Sequence, residues 1–99
     1  MASGNEDWTI KTTVPNSWKT MKGSVGSTWT NVTLPVIPVS ISIINTHATQ
    51  ILSVRSSAAE DENNLLPGES IGIDSGKSTF QVYGSGAGTT YEILYTYNA

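Results

Sequence analysis

Three places in the sequence hold residue types from which chemistry could be built. They are the glycine-rich stretch Tyr83-Gly84-Ser85-Gly86-Ala87-Gly88-Thr89-Thr90-Tyr91, the single histidine His47, and the acidic run Glu60-Asp61-Glu62. A phosphate-cradling loop needs G-x-x-x-x-G-K-[ST], with a lysine to reach the phosphates and a helix behind it to supply its dipole. The stretch from Gly84 has no lysine, and Tyr91 to Tyr97 after it alternates like a strand. The dinucleotide pattern G-x-G-x-x-G fails as well, because the third glycine comes one residue early. The stretch is therefore expected to be a hairpin loop of about six residues between two strands.

His47 lies in the polar turn Asn45-Thr46-His47-Ala48-Thr49 and is read as a solvated loop residue. With one histidine and no cysteine, neither a histidine-based nor a thiolate metal site can be assembled. No G-x-S-x-G elbow occurs, so a hydrolase triad has no support. The acidic run does not follow the D-x-[DN]-x-[DN]-G order of a calcium loop and reads as a solvated acidic turn. A glycosidase pair of carboxylates would also need a cleft that 99 residues hardly provide. The expectation is a protein that is not an enzyme, with no catalytic residue, no metal and no cofactor.

The elements around these residues are read as strands. Trp8 to Val14, Trp18 to Met21, Trp29 to Leu34, Val39 to Asn45, Ile51 to Arg55, Ser70 to Asp74, Thr79 to Tyr83 and Tyr91 to Tyr97 are short runs bounded by Pro, Gly, Asn or Ser. Pro67-Gly68 suits a type II turn, with proline fixing φ and glycine accepting the positive φ that follows. Ser57 to Asn64 could form one helical turn at most, since it offers no apolar stripe before Leu65. Seven or eight strands at this spacing predict an all-β fold, a small antiparallel β-sandwich or jelly-roll-like domain.

Composition bounds the partners. The chain carries 37% hydrophobic and 13% charged residues, and Ser plus Thr make up about a quarter of it. Net charge is -3, with Lys11, Lys19, Lys22, Arg55 and Lys77 scattered singly, so nucleic-acid binding through phosphate neutralisation is not expected. The start of the chain has neither a cationic run nor an apolar h-region, and the apolar stretch from Val36 to Ile44 is broken by Pro38, Ser40 and Ser42. The expectation is synthesis in a cytoplasm without a Sec-type signal and no membrane span. Asn31-Val32-Thr33 then matches the glycosylation tripeptide by chance.

The two halves differ. Residues 1–35 hold all three tryptophans and little aliphatic content, whereas residues 36–99 hold nearly all the Ile and Leu. The expected organisation is an extended N-terminal arm over residues 1–35 and a compact β-sandwich over 36–99. Trp8, Trp18 and Trp29 then have two readings, as core aromatics on edge strands or as anchors docking on a neighbouring chain. Tyr83 and Tyr91 flank the glycine loop and join them as candidate interaction residues, because Trp and Tyr faces can also stack on sugar rings.

The pieces I-S-I-I-N-T, I-L-S-V-R-S, L-L-P-G-E-S-I-G-I-D and F-Q-V-Y-G-S-G-A-G-T-T-Y-E-I-L have a characteristic order. A strand ends in Asn-Thr, a second follows, a Pro-Gly-Glu-Ser turn leads into a third, and a strand ending in Tyr-Gly gives way to a Gly/Ser loop and a last strand. This order resembles a group of small β-domain accessory proteins in tailed-phage virions, and it leaves residues 1–35 outside. The resemblance implies a structural protein of the virion that decorates (cements) the head, made in the bacterial host cytoplasm, commonly a homotrimer and bound to the major capsid protein or other virion subunits. The alternative it leaves open is a carbohydrate- or receptor-binding module of a fibre or tail, for which a glycan is a possible partner.

Overall fold

The computed structural model describes residues 14–99. The expected strand from Trp8, and Trp8 itself, lie outside the described residues. Eight strands follow: β1 (Ser17–Val25), β2 (Thr30–Thr33), β3 (Ser40–Asn45), β4 (Leu52–Arg55), β5 (Asn63–Leu65), β6 (Ser70–Asp74), β7 (Thr79–Gly84) and β8 (Thr89–Tyr97). They form two four-stranded antiparallel sheets, ordered β1-β8-β3-β6 and β2-β7-β4-β5. This is the wound, two-sheet arrangement of a jelly roll.

Alternation drives both sheets. In β3, Ile41, Ile43 and Asn45 are buried while Ser40, Ser42 and Ile44 are half-buried. In β7, Phe80, Val82 and Gly84 point inward between Thr79, Gln81 and Tyr83. Ile43, Leu52, Val82 and Ile93 are essentially excluded from water and occupy the centre between the sheets. Each such side chain contributes about 1.5–3 kcal/mol relative to exposure.

Four expectations differ from what the chain does. Residues 17–33 are not an arm: β1 pairs along its whole length with β8, and β2 pairs with β7, so both belong to the sandwich. β1 also continues through Gly23, Ser24 and Val25, because β8 is nine residues long and offers a partner at every step. The segment Ser57 to Asn64 makes a turn closed by Glu60 N–H to the Ser57 carbonyl (3.1 Å), and then Asn63–Leu65 pairs with β4 in place of any helical turn. Finally, the glycine stretch is not a hairpin. β7 and β8 lie in different sheets, so Ser85 to Gly88 carries the chain from one sheet to the other.

The Pro67-Gly68 turn forms as its residues dictate. Gly68 has φ 84°, and the Glu69 N–H donates to the Leu66 carbonyl at 2.9 Å.

Candidate functional site

At one end of the sandwich the glycine loop is held from inside the protein. Thr89 is fully buried and its hydroxyl donates to the Gly86 carbonyl at 2.8 Å. That uses the one proton the hydroxyl has, so the Gln50 side chain beside it presents its nitrogen. So oriented, the Gln50 amide donates to Thr89 Oγ1 and to the carbonyls of Gly86 (3.0 Å) and Ala87 (3.2 Å). Gly88 closes the loop with φ 72°. The Gly86 and Ala87 carbonyls thus meet donors of the protein itself, and the Ser85 N–H is spent on the Ile51 carbonyl at 3.0 Å.

The neighbouring β3–β4 connection is built on Asn45 and His47. Buried Asn45 donates through Nδ2 to the carbonyls of Gln50 (2.7 Å) and Leu65 (2.9 Å) and accepts from His47 N–H (2.9 Å). His47 Nδ1 accepts the backbone N–H groups of Thr49 (3.1 Å) and Gln50 (3.0 Å). Its proton therefore sits on Nε2. The histidine is a turn former and is half-buried, rather than the solvated residue expected.

The outer face of the β1-β8-β3-β6 sheet carries exposed apolar groups. One row across it reads Trp18, Thr96, Ser40, Asp74, and the next Thr20, Leu94, Ser42, Gly72. A third row reads Lys22, Glu92, Ile44, Ser70. Short hydroxyl side chains and a glycine surround Trp18 and Leu94, which are 71% and 43% exposed. The two are diagonal cross-strand neighbours, a spacing that long side chains bridge.

The outer face of the second sheet has a different chemistry. In register, Asn31 faces Gln81 and Gln81 faces Arg55, while Tyr83 faces Ser53 and Ser53 faces Asn64. Trp29 precedes β2 and meets Tyr83 with ring centroids 5.3 Å apart. The Arg55 guanidinium lies 3.8 Å from the centre of the indole. Arg55 Nε–H donates to Gln81 Oε1 (2.8 Å), Gln81 Nε2 donates to Asn31 Oδ1 (3.1 Å), and Ser53 donates to Asn64 Oδ1 (2.6 Å).

A cleft of about 200 Å³ also opens between the sheets over Ile41, Ile43, Val54 and Phe80, with Glu60 and Lys77 on its polar side. It is smaller than the roughly 300 Å³ at which small-molecule pockets begin. Among the described residues, no group of His, Asp and Glu is arranged to hold a metal ion.

The candidate interaction residues therefore separate. Trp18 and Trp29 sit on opposite outer faces, and Tyr83 joins Trp29. Tyr91 turns inward, where it packs against the core, and burial pushes its hydroxyl above the ordinary tyrosine value. Tyr95 is buried beside Tyr97, at 6.0 Å between ring centres. Residue type alone does not single out Arg55, Gln81 or Asn31. Alternation marks each as outward-facing, but strand order brings them together, and strand order is not written in the local pattern.

Compared with protein-family models, curated proteins and solved structures, the chain finds no match.

Proposed function

We propose that this chain is a non-enzymatic accessory protein of a phage virion, a head decoration (cement) protein that docks on the major capsid protein through the outer face of the β1-β8-β3-β6 sheet. The observation that carries the reading is Trp18, 71% exposed on an outer sheet face with Leu94 beside it. A large aromatic held in water on a rigid strand is the kind of anchor that dominates protein interfaces when it is covered. The surrounding Thr and Ser side chains supply hydrogen bonds at low charge, which suits a broad contact. Jelly rolls serve viral capsid and lectin domains alike, so the architecture is compatible with the reading and the chemistry of the faces has to decide. Assembly as a homotrimer on the virion is part of the same proposal.

Purified protein is expected to bind particles that lack it. Trp18→Ala is expected to weaken that binding by about 2 kcal/mol or more. The same substitution leaves the unfolding midpoint almost unchanged, because the ring is already in water. Failure of the native protein to bind such particles overturns the reading.

A second reading, a carbohydrate-binding module of a fibre or tail, is favoured by the pairing of Trp29 with Tyr83 on the other face.

A further inference from the structure

The hydrogen bonds on the outer face of the β2-β7-β4-β5 sheet have a direction, and the direction says what the face lacks. A guanidinium has five N–H donors and no acceptor. Arg55 Nε–H must therefore meet the oxygen of Gln81, as it does at 2.8 Å. The nitrogen of Gln81 is then turned toward Asn31 and meets its oxygen at 3.1 Å. Asn31 is left with its Nδ2 group outermost. One donor-only residue on β4 thus orients two amides in succession across β7 to β2. Beside this chain, Asn64 uses its oxygen on Ser53 and also keeps its Nδ2 group.

The groups left over are nearly all donors. They comprise the terminal N–H groups of Arg55, the amide N–H groups of Asn31 and Asn64, and the Tyr83 hydroxyl. Arg55 has its π-face against Trp29 and its Nε–H on Gln81, so its remaining edge is an open two-pronged fork, the geometry that matches a carboxylate. The indole of Trp29 and the ring of Tyr83, both half-buried, adjoin that fork. Two acidic residues, Glu60 and Asp61, line the cleft that Arg55 also borders at the sheet edge, and Glu62 precedes β5 and is exposed; none of them lies in the paired rows of this face.

We propose that this face binds an acidic glycan, with a carboxylated sugar ring lying against Trp29 and Tyr83 and its carboxylate on the fork of Arg55. The inference rests on the carbohydrate reading and deepens it by naming the class of sugar. A polyanion such as nucleic acid fits poorly, since the face has one cation and the chain a net charge of -3. Asn31 on β2 and Asn64 on β5 stand in adjacent rows, three strand spacings or roughly 14 Å apart across the sheet, which places donors for sugar units on either side of the charged one. Those donors are already held by their internal bonds, so little side-chain ordering is left for binding to cost.

The test uses α-1,4-linked trigalacturonate and its methyl ester, which has the same rings and no charge, followed by NMR shift changes and calorimetry on the full chain. The acid is expected to bind with the largest shifts at Trp29, Tyr83 and Arg55, and the ester to bind about tenfold more weakly or worse, the loss expected for one charge-assisted hydrogen-bonded contact. Arg55→Gln is expected to erase the difference between the two ligands. Arg55→Lys keeps the charge and loses the fork, and is expected to weaken the acid while leaving the fold intact by circular dichroism. Trp18→Ala, on the opposite face, leaves binding unchanged. Equal binding of acid and ester overturns the inference and leaves the carbohydrate reading standing. Absence of binding by trigalacturonate, its ester and sialyllactose at millimolar concentration overturns both, and shifts centred on Trp18 overturn the placement.

Discussion

Tyr91 shows how one side chain can be committed to the interior by a neighbour's lack of one. It stands opposite Gly23 in the β1–β8 pair, and a Cβ on residue 23 would meet the tyrosine ring well inside contact distance. Glycine at 23 leaves the space in which the ring lies. Burial then disfavours the phenolate, so the folded-state pKa of Tyr91 lies above the unfolded value of 10.0. The stability linked to this group is therefore fully present below pH 10. As pH rises further, the unfolded chain ionises first, and the contribution is lost until pH passes the folded value. Urea unfolding at a series of pH values from 8 upward is expected to show native stability declining above about pH 10, and Tyr91→Phe to decline less steeply. Equal slopes for the two proteins would refute the assignment.

At the scale of elements, Asn45 is the joint between the last residue of β3, the turn before β4 and the end of β5. Its amide reaches the carbonyls of Gln50 and Leu65, and its backbone N–H and carbonyl bond to Glu69 and Gly68. Asn45→Ala leaves the buried Leu65 carbonyl, the half-buried Gln50 carbonyl and the His47 N–H without this partner. At about 1–3 kcal/mol for each orphaned buried group, a loss of roughly 3 kcal/mol or more in urea unfolding is expected. Ser42→Ala, three residues earlier in β3 and outward-facing, serves as the control and should change stability by less than about 0.5 kcal/mol.

This joint also marks how far the elements could be read from residue types alone. The runs around Ile41 and Ile43, Phe80 and Val82, and Ile93 and Tyr95 announce their strands by alternation, and Pro67-Gly68 announces its turn. β5 does not announce itself, because Asn63-Asn64-Leu65 offers a single apolar residue and becomes a strand through pairing with β4. The division after residue 35 fails for a related reason. β1 carries Trp18, Lys19, Thr20 and Lys22 and looks unable to bury itself, but as an edge strand it needs to contribute only Met21 and Val25 to the interior. On the second outer face, Trp29 and Tyr83 could be suspected from residue type. Arg55, Gln81 and Asn31 could not, since what joins them is that β7 runs between β2 and β4.

For the molecule as a whole, the sheet orders mean that β4 and β5 are the one pair of consecutive described strands that hydrogen-bond to each other. Every other ladder joins strands distant in sequence, and loop-closure entropy must be met before those contacts form. Refolding followed by tryptophan fluorescence after stopped-flow dilution from urea is expected on the millisecond-to-second scale. A relaxation complete within microseconds would contradict this account of the topology.

The pairing of β1 with β8 has a consequence for how the protein is made. β1 leaves the ribosome before all the other described strands, and β8, its partner in the sheet, leaves after them. β8 is also what joins β1 to β3. A chain interrupted between residues 75 and 88 therefore has an unpaired β1, only β3 and β6 of its sheet, and a core lacking Ile93 and Tyr95. Such a fragment is expected to be cut by proteases far faster than the full chain. The last described strand is thus what joins the first to the rest of its sheet, and a nascent chain is expected to gain protease resistance only once residues 89–97 have emerged.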